Sequence, residues 1–252
     1  VVRITQDDKG VFRITQMPQV EAALVAMDPR DGAVRSLVGG FDFGKNQYNH
    51  VTQASRQPGS SFKPFIYSAA LEKGITATTV INDAPLFFSA AQTGGDEWEP
   101  KNYDGKFDGP MRVRSALAKS KNMVSIRILR SIGPSYAQDY VTKFGFDAKQ
   151  HPAYLTLALG AGQTNPMQMA GAYSVFANGG YRVKPYFIKK VVDTKGTVVF
   201  EESPAVAGKD AEQAIDPRNA FIMTTLMRDV VRAGTATKAL SLGRSDLAGK
   251  TG

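Results

Sequence analysis

A serine three residues ahead of a lysine is a minimal pair for acyl transfer, and the chain carries one in Ser60-Ser61-Phe62-Lys63. If a helix starts at Ser60, residues three apart stack on one face and Lys63 reaches the Ser60 hydroxyl. Pro64 supports a helix start, because proline is tolerated only in the first turn. The dipole at that end disfavours an ammonium, and burial acts in the same direction. Both free the Lys63 lone pair to take a proton. Alone, the spacing is ambiguous. Such a tetrad is expected about once by chance in a chain of this size, and the commoner reading is a helix cap followed by a solvated lysine.

Two triplets further along strengthen the chemical reading. Ser120-Lys121-Asn122 falls at an expected helix break. It offers a second hydroxyl to pass a proton and an amide to hold a substrate carbonyl, with Lys121 between them read as solvated. Lys250-Thr251-Gly252 falls on an expected strand. It offers a cation and a hydroxyl for a carboxylate, and a glycine that lets substrate backbone come close. Competing chemistries lose ground. Only His50 and His151 could serve a Ser-His-Asp arrangement, and both are read as structural or exposed. Gly-x-Ser-x-Gly, His-x-x-x-His, cysteines and glycine-rich phosphate loops are all missing from the sequence. No cofactor or metal is expected.

The elements that must position these residues can be read from the chain's patterning. At 252 residues and 42% hydrophobic, one sizeable core is affordable. Val1–Thr5 and Val11–Thr15 alternate as a hairpin, and Met17-Pro18 breaks it. Residues 1–18 are therefore expected to be a linker or the tail of an upstream module, with residues 19–252 forming the main domain. A second hairpin turns at Asp28–Gly32. Helical spacing then dominates: Ser60–Lys73, Met111–Leu129 with a break near Lys119–Asn122, and Pro166–Ala177. A third hairpin spans Phe187–Glu201, and Asp216–Val231 is helical again. Strands, a helical middle and strands once more predict an α+β fold whose antiparallel sheet combines both ends of the chain and is flanked by helices, with an all-helical subdomain.

Charge points away from nucleic acid despite a formal net charge of +8, from 31 Lys and Arg against 23 Asp and Glu. The basic residues are scattered and interleaved with apolar ones, which describes a solvated surface better than a phosphate-tracking stripe. No run of about 18 apolar residues occurs, so membrane attachment would need an anchor outside this sequence.

The three motifs sit within longer segments that resemble one family. Arg56-Gln57-Pro58-Gly59-Ser60-Ser61-Phe62-Lys63-Pro64 resembles the nucleophile segment of class A penicillin-binding proteins, and most of all their 1a type. Trp98–Asp104 is similar to the segment preceding the second motif, and Ala116–Asn122 to that motif itself. Leu159–Pro166 with Ala172–Gly180 resembles a later block, and Gly234-Thr235-Ala236 the stretch before Lys-Thr-Gly.

The resemblance implies a serine D,D-transpeptidase of the β-lactamase/transpeptidase-like fold. Ser60 would attack the penultimate D-alanine carbonyl of a peptidoglycan stem peptide, with Lys63 as base and Ser120 relaying a proton. Asn122 would position the peptide, and Lys250, Thr251 and Gly252 would bind it. It further implies covalent inhibition by β-lactams, action at the periplasmic face of the inner membrane, and other cell-wall synthesis proteins as partners. A serine β-lactamase shares the motifs but normally has a Glu-x-x-Leu-Asn loop, which is missing from this sequence; a penicillin sensor without catalysis is the other alternative. The family also carries strands and a closing helix beyond Lys-Thr-Gly, so the sheet is expected to be incomplete over this span.

Overall fold

The computed structural model describes residues 2–93 and 96–252; Val1, which opens the first expected strand, lies outside them. The chain starts with two hairpins, β1 (Arg3–Gln6) against β2 (Phe12–Thr15) and β3 (Leu24–Met27) against β4 (Val34–Val38). Next come α1 (Lys63–Glu72), β5 (Val80–Asp83), α2 (Ala90–Thr93) and β6 (Gly109–Arg112), with β5 and β6 paired antiparallel. The helical middle continues through α3 (Val113–Ala118), α4 (Asn122–Ile132), α5 (Pro134–Val141) and α6 (Pro166–Ala177). The last part contains β7 (Tyr181–Arg182), β8 (Lys190–Val192), β9 (Val198–Glu201), β10 (Glu212–Gln213) and α7 (Pro217–Ala233).

Helix α1 occupies the centre. Its residues 63–70 are all buried, as a helix without a polar face requires. Phe65, Ile66, Tyr67 and Ala69 share one core with Met123, Ile126 and Leu129 of α4, Ala137 and Tyr140 of α5, and Met223, Leu226 and Val230 of α7. Each large side chain of this kind contributes about 1.5–3 kcal/mol relative to exposure. The polar side chains of α1, α5 and α7 that meet inside the core are paired. The Ser68 hydroxyl meets Tyr140 Oη at 2.9 Å and donates to Asn219 Oδ1 at 2.8 Å, which ties α1 to α5 and α7.

Several expected boundaries are seen. Helix α6 spans Pro166–Ala177, closed at its start by a capping box between Asn165 and Gln168. Asp216 caps α7, accepting from the Arg218 amide. The α3–α4 break falls at residues 119–121. The α+β class holds, but the single sheet joining both ends of the chain does not form. Among the described residues every sheet is two-stranded, the remaining two being β8–β9 and β7–β10. Late and early chain meet in a parallel bridge, Ala33 with Tyr186, and in separate hydrogen bonds such as the Ala207 amide to the Arg30 carbonyl at 2.8 Å. Residues 247–252 belong to no strand. Their contacts run instead to helix and turn, such as the Gly249 amide donating to the Met227 carbonyl, so no ladder partner is available to them.

The turn before α1 is clamped from the far side of the chain. Arg56 and Thr164 exchange both backbone hydrogen bonds at 2.9 Å. Gly160 has a φ of +72°, and a Cβ placed there would lie 2.1 Å from the Gly59 carbonyl oxygen. Both the dihedral and the close approach demand glycine. We predict that Gly160→Ala lowers unfolding free energy by about 2 kcal/mol or more. Denaturant unfolding measures this, and a change below about 0.5 kcal/mol would contradict the packing described.

Candidate active site

Residues Gly59–Phe62 form a 3-10 turn leading directly into α1, with Gly59 at a φ of +59°. Ser60 is therefore the second residue of a tight turn, and Lys63 is the first residue of α1. The Ser61 hydroxyl donates to the Pro58 carbonyl at 2.6 Å, and Tyr173 Oη donates to the Ser61 carbonyl at 2.7 Å. These bonds hold the turn and leave the Ser60 side chain facing a cleft of about 510 Å³. The cleft is lined by Ser60, Tyr103, Ser120, Asn122, Thr235 and Thr251, among others.

Lys63 is fully buried, yet it does not bond to Ser60. Its Nζ donates to the Ser120 carbonyl at 2.7 Å, to Ser120 Oγ at 3.2 Å and to Asn122 Oδ1 at 2.7 Å. The direct Ser60–Lys63 hydrogen bond expected from the spacing is thus replaced by three acceptors from the second motif. The physical reason is that the α-helix begins at Lys63 rather than at Ser60, so the lysine leaves the turn toward α4. Burial, and then the nearby charge of Lys250, lower the Lys63 pKa to about 7. The amine is therefore present in quantity near neutrality, as a base requires.

Ser120 stands between two lysines. Lys250 Nζ donates to Ser120 Oγ at 2.9 Å and to the Thr251 carbonyl at 2.9 Å. Burial lowers the Lys250 pKa to about 8. A hydroxyl has two lone pairs and one proton, so Ser120 Oγ can accept from one charged lysine while donating to the other as a neutral amine. That arrangement can pass a proton from one side of the cleft to the other.

The third motif completes the wall. Thr251 Oγ1 lies 2.6 Å from Thr235 Oγ1, pairing two hydroxyls at the cleft. Gly234 brings Thr235 there: a Cβ on Gly234 would lie 2.2 Å from the Ala118 carbonyl oxygen, which accepts from the Thr235 amide at 3.1 Å. Gly252 packs close to the nucleophile turn, with the Pro58 carbonyl oxygen 3.2 Å from where its Cβ would be. All seven residues singled out from sequence, Ser60, Lys63, Ser120, Asn122, Lys250, Thr251 and Gly252, border this cleft or touch a residue that does.

Other residues were missed or misread. Lys121 is buried, not solvated, with Nζ 3.4 Å from Asp83, 3.1 Å from Asp104 and 3.4 Å from Asp108. Burial alone would lower its pKa, but the Asp104 hydrogen bond and the three carboxylate charges raise it. Asn102 is buried beside it, and Tyr103 is fully exposed at the cleft rim. Trp98 stacks on Phe88 with ring centroids 5.3 Å apart, as a packing residue does. His151 is buried against Phe62, as a structural histidine. Thr235 sits in a recognisable segment, but nothing in its spacing announced a place at the site. Asp83 had no signal beyond an acidic residue in an apolar strand.

Comparison with known proteins identifies the family. The family model described as the penicillin binding protein transpeptidase domain fits residues 22–252. The chain belongs to that family. Penicillin-binding protein 1A of Neisseria lactamica is 55% identical over 252 residues, which is all of this chain and 32% of that protein. The crystal structure of penicillin-binding protein 1A from Haemophilus influenzae superposes with a TM-score of 0.95 at 35% identity, covering 99% of this chain and 42% of that one. A Mycobacterium tuberculosis family member in complex with penicillin V gives 0.70 at 29% identity, over 83% of this chain and 55% of that one. The chain spans about a third of the length of the curated relatives it matches. Among the described residues no helix is long and apolar enough to cross a membrane, and no group of side chains is arranged to hold a metal ion.

The Lys121 cage gives a stability prediction. Asp83 is fully buried, so Lys121→Ala leaves a carboxylate without its cation. Unfolding free energy should fall by about 3 kcal/mol. Urea titration checks this, and a loss below about 1 kcal/mol would place the cage among exposed ion pairs.

Proposed function

We propose that this domain catalyses D,D-transpeptidation of peptidoglycan stem peptides through an acyl-enzyme on Ser60. The observation carrying the reading is the hydrogen-bonded series Lys63 Nζ–Ser120 Oγ–Lys250 Nζ beside the half-buried Ser60. Such a series supplies a base and a relay within one cleft, without histidine.

In the proposed reaction the Ser60 hydroxyl turns onto neutral Lys63 and loses its proton as Oγ bonds to the penultimate D-alanine carbonyl carbon. Catalytic hydrogen bonds commonly tighten only with substrate in place. The carbonyl oxygen gains the negative charge, and the Ser60 amide, at the start of its turn, is a donor for it. The C–N bond then breaks. The leaving nitrogen takes a proton through Ser120, and terminal D-alanine departs, leaving an ester on Ser60. An amine of a second stem attacks that ester, loses its proton by the reverse route, and regenerates the hydroxyl.

Asn122 holds the donor peptide. Its Oδ1 is engaged by Lys63, and Nδ2 donates to the Lys101 carbonyl at 2.8 Å, which leaves one amide hydrogen for a substrate carbonyl. Lys250 and the hydroxyls of Thr251 and Thr235 face the terminal carboxylate, and Gly252 gives the substrate backbone room. A β-lactam would acylate the same serine. The relative bound to penicillin V supports that extension.

The same reading makes residues 1–18 a linker or the tail of an upstream module, and places the domain at the periplasmic face of the inner membrane through an anchor elsewhere in the protein. Other cell-wall synthesis proteins would be its partners.

Intact mass spectrometry of the full-length parent protein with benzylpenicillin tests the reading. The expected result is a single penicilloyl adduct on the peptide carrying Ser60, eliminated by Ser60→Ala with the fold retained. A folded wild-type protein that gains no adduct, or an adduct that survives Ser60→Ala, would overturn it.

A further inference from the structure

Helix α4 begins at Asn122, two residues after Ser120, yet its own N-cap position cannot satisfy it. That position is Lys121, whose side chain accepts no hydrogen bond, whereas N-caps ordinarily use a short oxygen-bearing side chain. The missing oxygen comes from 20 residues upstream. Asn102 Oδ1 accepts from the Asn122 amide at 2.8 Å and from the Met123 amide at 3.3 Å. The other end of the same side chain is held just as firmly. Asn102 Nδ2 donates to Asp83 Oδ1 at 2.8 Å and to the Lys106 carbonyl at 2.7 Å. Both oxygens of Asp83 are in use, the second accepting from the Asp108 amide at 2.9 Å and facing Lys121 at 3.4 Å. Asp83, Asn102 and Lys121 are all buried, so the bond between Asp83 and Asn102 is shielded from bulk water.

Ser120 is strained as well as central. Its φ of +57° is the only positive value among the described non-glycine residues. A left-handed serine costs on the order of 1 kcal/mol and persists only where its surroundings over-determine it. The residues that follow it, Lys121 to Met123, are the ones held by Asp83 and Asn102.

We propose that Asn102, clamped by Asp83, is a positioning residue for acylation: it holds the Ser120 turn so that Ser120 Oγ meets both Lys63 and Lys250. This rests on the reading of Ser60 as the acylated nucleophile. Asn102 itself touches the start of α4 rather than the reacting atoms. Its loss should disturb the rate of the chemical step and leave recognition of the acylating molecule nearly intact.

Acylation of the full-length parent protein by benzylpenicillin, followed by quenched intact mass spectrometry over a concentration series, separates the two quantities. In Asn102→Ala the saturating rate constant should fall by about 100-fold, the scale of a displacement near 1 Å, while the half-saturating concentration changes by less than about threefold. Asp83→Asn keeps the size and an acceptor for Asn102, and leaves Lys121 with Asp104 and Asp108. It is the second variant should Asn102→Ala not fold, with an expected drop of about tenfold in the same constant. Either folded variant acylating within about threefold of wild type would overturn the proposal, as would a loss confined to the half-saturating concentration. Wild type that is labelled alongside an unaffected variant sinks only the positioning role. Wild type that is never labelled on Ser60 sinks the nucleophile reading and this one together.

Discussion

A lysine amine is a poor base near neutral pH unless the protein removes it from water, and the arrangement around α1 follows from that requirement. Lys63 is at the first position of the most buried helix in the fold, and desolvation is the largest cause of its lowered pKa. Burial of an amine is tolerable only if each of its hydrogens finds an acceptor. The groups in reach are the Ser120 carbonyl, Asn122 Oδ1 and Ser120 Oγ; a neutral amine donates its two hydrogens to the first two and accepts from the hydroxyl, so Lys63 and the second motif are one assembly. Lys250 then approaches from the last segment, and its charge further disfavours protonation of Lys63. The same hydroxyl serves both lysines. The electrostatics of Lys63 and the proposed route for the proton therefore depend on the position of a single side chain.

The scaffold can be understood as a set of supports for that position. Gly160 and the Arg56–Thr164 bridge hold the nucleophile turn from one side. Gly234 brings Thr235 against the end of α3, which carries the Lys-Thr-Gly segment through the Thr235–Thr251 contact. Strands β5 and β6 bring Asp83 and Asp108 beneath Lys121. A surface lysine pair of this kind would contribute little, but a buried one carries the full desolvation penalty and must be completely satisfied. The small sheets matter here as carriers of particular carboxylates and carbonyls more than as a continuous layer.

Much of this was legible in the sequence because it follows from local rules. Pro166 with Asn178-Gly179-Gly180 delimited α6, and Asp216 announced α7 by capping chemistry that acts within a few residues. The seven site residues could be named from three short motifs and the segments around them. What stayed hidden depends on distant pairing. Asn102 caps a helix that starts 20 residues later, and Asp83 pairs with a lysine 38 positions later. Lys121 read as solvated because a lone lysine normally is, and only the convergence of three aspartates from two distant segments surrounds it. The Ser60–Lys63 spacing was right while its hydrogen bond was not. The helix starts three residues later than the pattern suggested, and the lysine finds better acceptors on α4. The expected single sheet failed for a similar reason, since β-pairing is set by partners far along the chain.

The pH dependence of Ser60 acylation by benzylpenicillin is the most direct test of the two-lysine arrangement. Lys63 must be neutral to take the Ser60 proton, so the saturating rate constant should rise with pH, reach half its plateau near pH 7, and fall about tenfold per unit below that. Lys250 must be charged to attract a carboxylate, so the second-order rate constant should decline as pH passes through about 8. A saturating rate constant that is flat from pH 5 to 9, or that climbs only toward the ordinary lysine range near 10.5, would contradict the account of Lys63 as a buried, neutral base.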